Sequence, residues 1–175
     1  FLIGNHGAEG LPGWESRTLE FVRIVHEWQN QLVVLLTDDY QRRVVIENKG
    51  STLSLHYRHA GNIKEAHALI LDAVRRLVPQ PRRISGKCIE NLIPEGAPDK
   101  GFALALLMLQ AGCPNAFFTG DDETDEDVFR LQNKNIFTVR VGRSKGSRAQ
   151  YHLRGQREMV RLLHEINRIL AHFKK

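Results

Sequence analysis

The sequence predicts an α/β fold: a parallel sheet covered by helices on both faces, into which a second unit is inserted, an antiparallel sheet with two helices on one side. Three observations predict it. After residue 97, helix-period and strand-period apolar patterns alternate at the spacing of a parallel sheet. Residues 8 to 97 instead run helix, strand, strand twice over, the grammar of two α-β-β units sharing one sheet. The opening Leu2-Ile3 reads as the end of a strand belonging to the parallel sheet. The expected boundaries are therefore a core of residues 1–7 plus 98–175 and an inserted domain of 8–97.

Each element has its own signal. Ser16 is placed to cap a helix over residues 17–30 with Leu19, Val22, Ile24, Val25 and Trp28 as apolar positions, and 32–36 extends or follows it. Residues 42–48 and 52–58 read as strands joined at Asn48-Lys49-Gly50-Ser51, a hairpin signal. Alternation sends Leu53, Leu55 and Tyr57 one way and Thr52, Ser54, His56 and Arg58 the other. A helix over 63–77 carries one apolar stripe and closes at Pro79 and Pro81. Short strands follow at 82–86 and 88–93. Beyond Pro94-Glu95-Gly96-Ala97-Pro98 come an apolar helix at 100–111, a buried strand at 114–119, and a helix at 125–132 capped by Thr124 or Asp125. A strand at 136–141 and a helix at 155–172 complete the chain.

Composition narrows the function classes. The 175 residues are 42% hydrophobic and 26% charged, the balance of a globular protein with a real core. No apolar run approaches the ~20 residues needed to span a bilayer, so no membrane partner is expected. The start has neither an initiator Met nor the order of a signal peptide. Cys88 and Cys113 form no metal spacing or disulfide framework, which suits a reducing, cytoplasmic setting. From Val128 onward there are 12 Lys and Arg against 2 Glu, a field suited to a compact anion such as a phosphate ester. Without aromatic interleaving, zinc spacing or a recognition helix, nucleic acid is not the expected partner.

The most informative stretch is Gly120 to Asp127, with six carboxylates in seven positions at the tip of a predicted strand. Such crowding is eased only by cations or partners. A hard divalent ion, Mg2+ first, meets that need, with Asp121 and Asp122 as metal candidates. The alternative is an acidic surface loop with two helix caps. The Gly/Ser-rich stretch around Ser144, Lys145 and Gly146, with Arg143 and Arg148 beside it, lacks the P-loop signature and reads as a surface loop.

Five motifs carry a resemblance: Gly4-Asn5-His6-Gly7-Ala8-Glu9, Val45-Ile46-Glu47-Asn48-Lys49-Gly50, Leu55-His56-Tyr57-Arg58, Pro94 to Gly101, and Gly120 to Phe129. In order and spacing they resemble trehalose-6-phosphate phosphatases of the haloacid dehalogenase-like superfamily, over nearly the whole chain. That resemblance implies a Rossmann-like core with an α/β cap, and Mg2+-dependent hydrolysis of trehalose 6-phosphate through an aspartyl-phosphate intermediate. It implies that Lys100 binds phosphate and stabilises the phosphoenzyme, and that Asp121 holds the metal. Asp122 and Asp125 then bind metal-coordinated water or hold the ligands in place, and Asp125 doubles as a helix cap. Glu47 and Lys49, two apart on a strand, face one side and can offer an acceptor and a donor to sugar hydroxyls. Glu90 resembles the third polar member of that set. Arg58 reaches the phosphate or lines the sheet; His6 and Asn5 contact ligand or are structural.

The family's nucleophile motif, Asp-x-Asp-x-Thr, is absent, and Asp38-Asp39-Tyr40 does not match it. The family pattern puts the motif before Phe1. The expectation is a C-terminal part of a longer polypeptide, inactive by itself, with loss of the catalytic aspartates as the other reading. Two further functions are open: an inactive module that binds trehalose 6-phosphate or a partner synthase for regulation, and a phosphatase for another sugar phosphate.

Overall fold

The computed structural model describes residues 1–36 and 43–173. Asp38-Asp39-Tyr40 and the first residue of the expected 42–48 strand lie outside the described residues. The chain divides into two compact units, Phe1–Pro98 and Asp99–Lys175.

In the first unit, helix α1 (Glu15–Leu35) takes in the expected 17–30 helix and runs on through residues 32–35, the extending alternative of the two. It starts one residue before Ser16, which sits in the first turn and caps nothing; Trp14 takes the N-cap position without a side-chain bond. Its buried stripe is Phe21, Val25, Trp28 and Leu32, spaced by four, three and four, so the apolar face runs unbroken through residue 32 and the helix continues with it. Leu19 falls off that stripe and is exposed. Strands β1 (Val45–Asn48) and β2 (Leu53–His56) form the expected hairpin. Gly50 at φ +83° makes its turn, and Asn48 Oδ1 accepts from Gly50 N at 2.8 Å. Helix α2 (Ile63–Arg75) is capped by Asn62, whose side chain accepts from Glu65 N at 3.2 Å.

Strands β3 (Arg82–Gly86) and β4 (Ile89–Ile93) complete an antiparallel sheet in the order β1-β2-β4-β3. Leu53, Leu55 and Leu92 of the sheet, Trp28 and Leu32 of α1, and Ile70 of α2 form one buried core. Thr52 and Ser54, on the other face of the strand, are also buried, and Ile84 and Ile93, on Ser54's side of the sheet, belong to or pack against a second cluster with Ala8, Phe21 and Ala97. Leu2 and Ile3 form no strand; only Gly4 bridges to Glu9. No strand among the described residues pairs with Leu2-Ile3 to give it a ladder.

The second unit begins with α3 (Lys100–Gln110), capped by Asp99 accepting from Phe102 N at 2.8 Å. Strands β5 (Ala116–Gly120), β6 (Ile136–Val141) and β7 (Tyr151–Leu153) form a parallel sheet in that order. A short α4 (Glu126–Phe129) and the terminal α5 (Arg157–Phe173) complete it. Strand β7 is an addition: three residues at the end of a basic loop carry no readable period. Helix α4 is half the expected length: it ends at Phe129 with Arg130 as its C-cap, and Gln132, at positive φ (+46°), lies beyond it. Strand β5 is also less buried than expected. Phe117 is 42% exposed and stacks on Phe137, which stacks on Tyr151, with centroids 5.9 and 4.6 Å apart. The parallel sheet with its helices and the antiparallel sheet with its two helices are the Rossmann-like core and the α/β cap of a haloacid dehalogenase-like fold. No helix among the described residues is long and apolar enough to cross a membrane.

Candidate functional site

The acidic run follows the end of β5, and its crowding is answered mostly from inside the protein. Lys100, first residue of α3, donates from Nζ to Asp125 Oδ1 at 2.6 Å, and the Asp125 side chain is 7% exposed. Asp125 Oδ2 accepts from Asp122 N at 2.8 Å. Both carboxylate oxygens are engaged, so Asp125 makes no helix-cap bond, contrary to the sequence expectation. Glu126, also buried, accepts from Arg140 Nη1 at 2.6 Å and from Arg148 N at 2.9 Å. Arg130 lies 3.1 Å from Glu123 and 3.7 Å from Asp127. These last pairs are more exposed and contribute little energy, yet they lower the local charge.

Two glycines set the spacing. A Cβ on Gly120 would lie 2.1 Å from Asp125 Cγ, so the carboxylate folds directly over the strand end. A Cβ on Gly101 would lie 2.6 Å from the Asp127 carbonyl oxygen, so the first turn of α3 meets the acidic turn backbone to backbone. Lys100 reaches Asp125 because of that approach. Asp121 and Asp122 are the members of the run that are exposed and have no cationic side chain paired to them among the described residues, and Asp122 Oδ1 accepts from Glu123 N at 2.7 Å.

Among the described residues no group of three or more His, Cys, Asp or Glu side chains is arranged to hold a metal ion. Mg2+ is commonly held by one or two carboxylates, with water and phosphate oxygens completing its octahedron. The exposed pair Asp121 and Asp122 fits that lesser requirement; Asp125, occupied by Lys100, stands behind it. Nearby in the same unit, Arg140, Arg143, Lys145, Ser147 and His152 line a cavity of about 450 Å3.

In the antiparallel unit, Glu47 and Lys49 lie together at 3.4 Å, and His56 Nε2 is 2.7 Å from the same Glu47 oxygen. Register places Glu47 opposite Ser54, and Ser54 opposite Asn91. Ser54 Oγ donates to Asn91 Oδ1 at 2.7 Å. Glu47, Ser54 and Asn91 thus make one polar row, with Lys49 and His56 beside it. Glu90 is on the opposite face: it pairs with Leu55, is 0% exposed, and meets His67 Nε2 at 2.8 Å, Ser85 Oγ at 2.8 Å and Arg83 Nε at 3.7 Å. Strand alternation separates it from Glu47 and puts Asn91 in the row instead. Counting outward from the core residue Leu92 would have found Asn91.

Arg58 is exposed just past β2. Asn5 and His6 lie in a 3-10 turn at positive φ of 45° and 60°. The Asn5 amide faces Glu9 Oε2 at 2.7 Å, Ser51 Oγ at 3.3 Å and the Lys49 carbonyl, so it ties the N-terminal turn to the β1–β2 hairpin.

The hydrogen bond with His56 holds the Glu47 carboxyl below the ordinary carboxylate range; burial opposes this and the Lys49 charge adds to it. A lowered folded value means that the stabilisation is full above the unfolded carboxylate pKa and is lost as pH falls through the folded one. In H56A the Glu47 carboxyl is expected to titrate at a higher pH than in the parent, read by carbon-detected NMR. An unchanged midpoint would show that the bond is not the cause.

Comparison with known proteins gives a consistent result. The family model described as trehalose-phosphatase matches residues 1–157. The trehalose-6-phosphate phosphatase of Escherichia coli (strain K12) is 32% identical over 113 residues, covering 63% of this chain and 42% of that protein. The bifunctional trehalose-6-phosphate synthase/phosphatase of Thermoproteus tenax is 26% identical over 167 residues, covering 81% and 23%. A crystal structure of a trehalose-6-phosphate phosphatase related protein is 24% identical with a TM-score of 0.63, covering 94% of this chain and 66% of that one. At that identity the structural likeness concerns the fold alone. The chain spans less than half the length of these two curated relatives.

Proposed function

The chain belongs to the trehalose-phosphatase family, and we propose that it carries the phosphate-binding, metal-binding and sugar-recognition parts of a trehalose-6-phosphate phosphatase. The reaction is Mg2+-dependent hydrolysis to trehalose and phosphate through an aspartyl-phosphate. This sequence contains no Asp-x-Asp-x-Thr, so the nucleophile comes from a segment other than these 175 residues.

The observation that carries the proposal is the Lys100–Asp125 pair of 2.6 Å beside two exposed carboxylates. Phosphoryl transfer requires positive charge around the equatorial oxygens and little else from the protein. Lys100 contributes that charge, and Asp125 fixes where its ammonium sits. Asp121 and Asp122 would hold Mg2+, which when bound neutralises phosphate charge as a Lewis acid. Glu47 and Lys49 contact sugar hydroxyls, joined by Asn91 from the same row, with Arg58 and His6 as further contacts. Glu90 supports the sheet from its buried face, and Asn5 positions the hairpin. Residues 1–7 belong with the catalytic sheet in this reading, and 8–97 form the cap. The fused synthase of the Thermoproteus tenax relative supports a trehalose-6-phosphate synthase as partner.

The test uses the product of the complete reading frame that encodes this chain. Phosphate release from trehalose 6-phosphate is expected with Mg2+ and not with a chelator, and E47Q is expected to lower kcat/KM for that substrate strongly. No release at saturating Mg2+ would sink the proposal; full release by E47Q would point to a different sugar phosphate.

A further inference from the structure

Resting on that reading, we propose that Arg140, clamped by Glu126, is a positioning residue that sets the geometry of the metal-binding turn. Parallel register pairs Gly120 of β5 with Arg140 of β6, so the arginine lies beside the start of the acidic turn. Its side chain is 12% exposed. Nη1 donates to Glu126 Oε1 at 2.6 Å and to the Asp122 carbonyl at 3.2 Å, and Nη2 donates to the Asp121 carbonyl at 2.9 Å. One planar guanidinium thus grips the backbone of both residues that present the exposed carboxylates. It bonds to neither carboxylate.

Glu126 makes the grip specific. It is 4% exposed at its side chain, and its second oxygen accepts from Arg148 N, tying the basic 142–150 loop to the same arginine. A lysine at 140 would keep the charge but not the fork, since a single ammonium cannot reproduce the planar arrangement of donors. In this inference Arg140 acts through the two carbonyls that it holds. Residues of this kind typically shift metal affinity about 10–100-fold when replaced.

The experiment measures Mg2+ binding by isothermal titration calorimetry on the complete protein, parent and R140K, with the Mg2+ dependence of phosphate release alongside. R140K is expected to bind Mg2+ about tenfold more weakly. The Mg2+ needed for half-maximal release should rise in parallel, with KM for the sugar phosphate unchanged at saturating Mg2+. Parental Mg2+ affinity in R140K overturns the inference, even if the variant melts earlier. Should R140K not fold, E126Q, which keeps the size and an acceptor for Arg148 N, carries the same test with the same two outcomes. Failure of the parent itself to bind Mg2+ or release phosphate overturns the phosphatase reading and this inference with it; a binding parent with an unaffected variant overturns this inference alone.

Discussion

G120A is expected to lower kcat/KM for phosphate release by about 10²-fold, the scale of loss when a reacting constellation is displaced by about 1 Å. The added methyl would stand 2.1 Å from Asp125 Cγ and 2.6 Å from its Cβ, so no rotation about the side-chain bonds relieves the clash. The backbone of Asp125 must move, and it occupies the N-cap position of α4 while its carboxylate is held by Lys100 and by Asp122 N. Movement there takes Lys100 and the Asp121–Asp122 turn with it. The conformation at Gly120 needs no left-handed φ, so the methyl's bulk alone is responsible. Steady-state kinetics on the complete protein decide it; wild-type kcat/KM would mean that the packing of Asp125 against Gly120 does not matter to turnover.

K100A should be more damaging, at about 10²–10³-fold in kcat/KM, the range for removing one preorganised charge or donor from a developing anion. It also leaves the Asp125 carboxylate, 7% exposed, without its cation. Breaking a fully buried pair costs about 3–5 kcal/mol. Lys100 is 30% exposed, so water reaches part of this site and the cost falls below that range. A thermal melt and a kinetic assay separate the two effects. D125N should recover stability relative to K100A, because the neutral amide needs no counter-ion, without recovering turnover. Activity of K100A near that of the parent would remove lysine from the chemistry.

The fold was legible where turn residues bracket a clean period. Strand Ile136–Val141 was read residue for residue, between Asn133-Lys134-Asn135 and Gly142. It was not legible where an element depends on distant neighbours, as with β7, whose three residues form a strand only because Val139 to Val141 lie alongside. The acidic run shows the same division. Its composition announced a need for positive charge, but sequence offered no way to tell that Lys100, 25 positions away, and Arg140 would supply much of it. Glu90 and Asn91 differ by one step along a strand, and the pairing of β2 with β4 puts Asn91, not Glu90, on the face of Glu47.

The aromatic stack of Phe117, Phe137 and Tyr151 holds neighbouring strands together by ring contacts across the sheet, each ring about half in water. The same strands carry the acidic turn and its arginine at their far ends. Side chains that grip one another sideways let a narrow ribbon keep its pitch, so a tool mounted at its tip stays aimed.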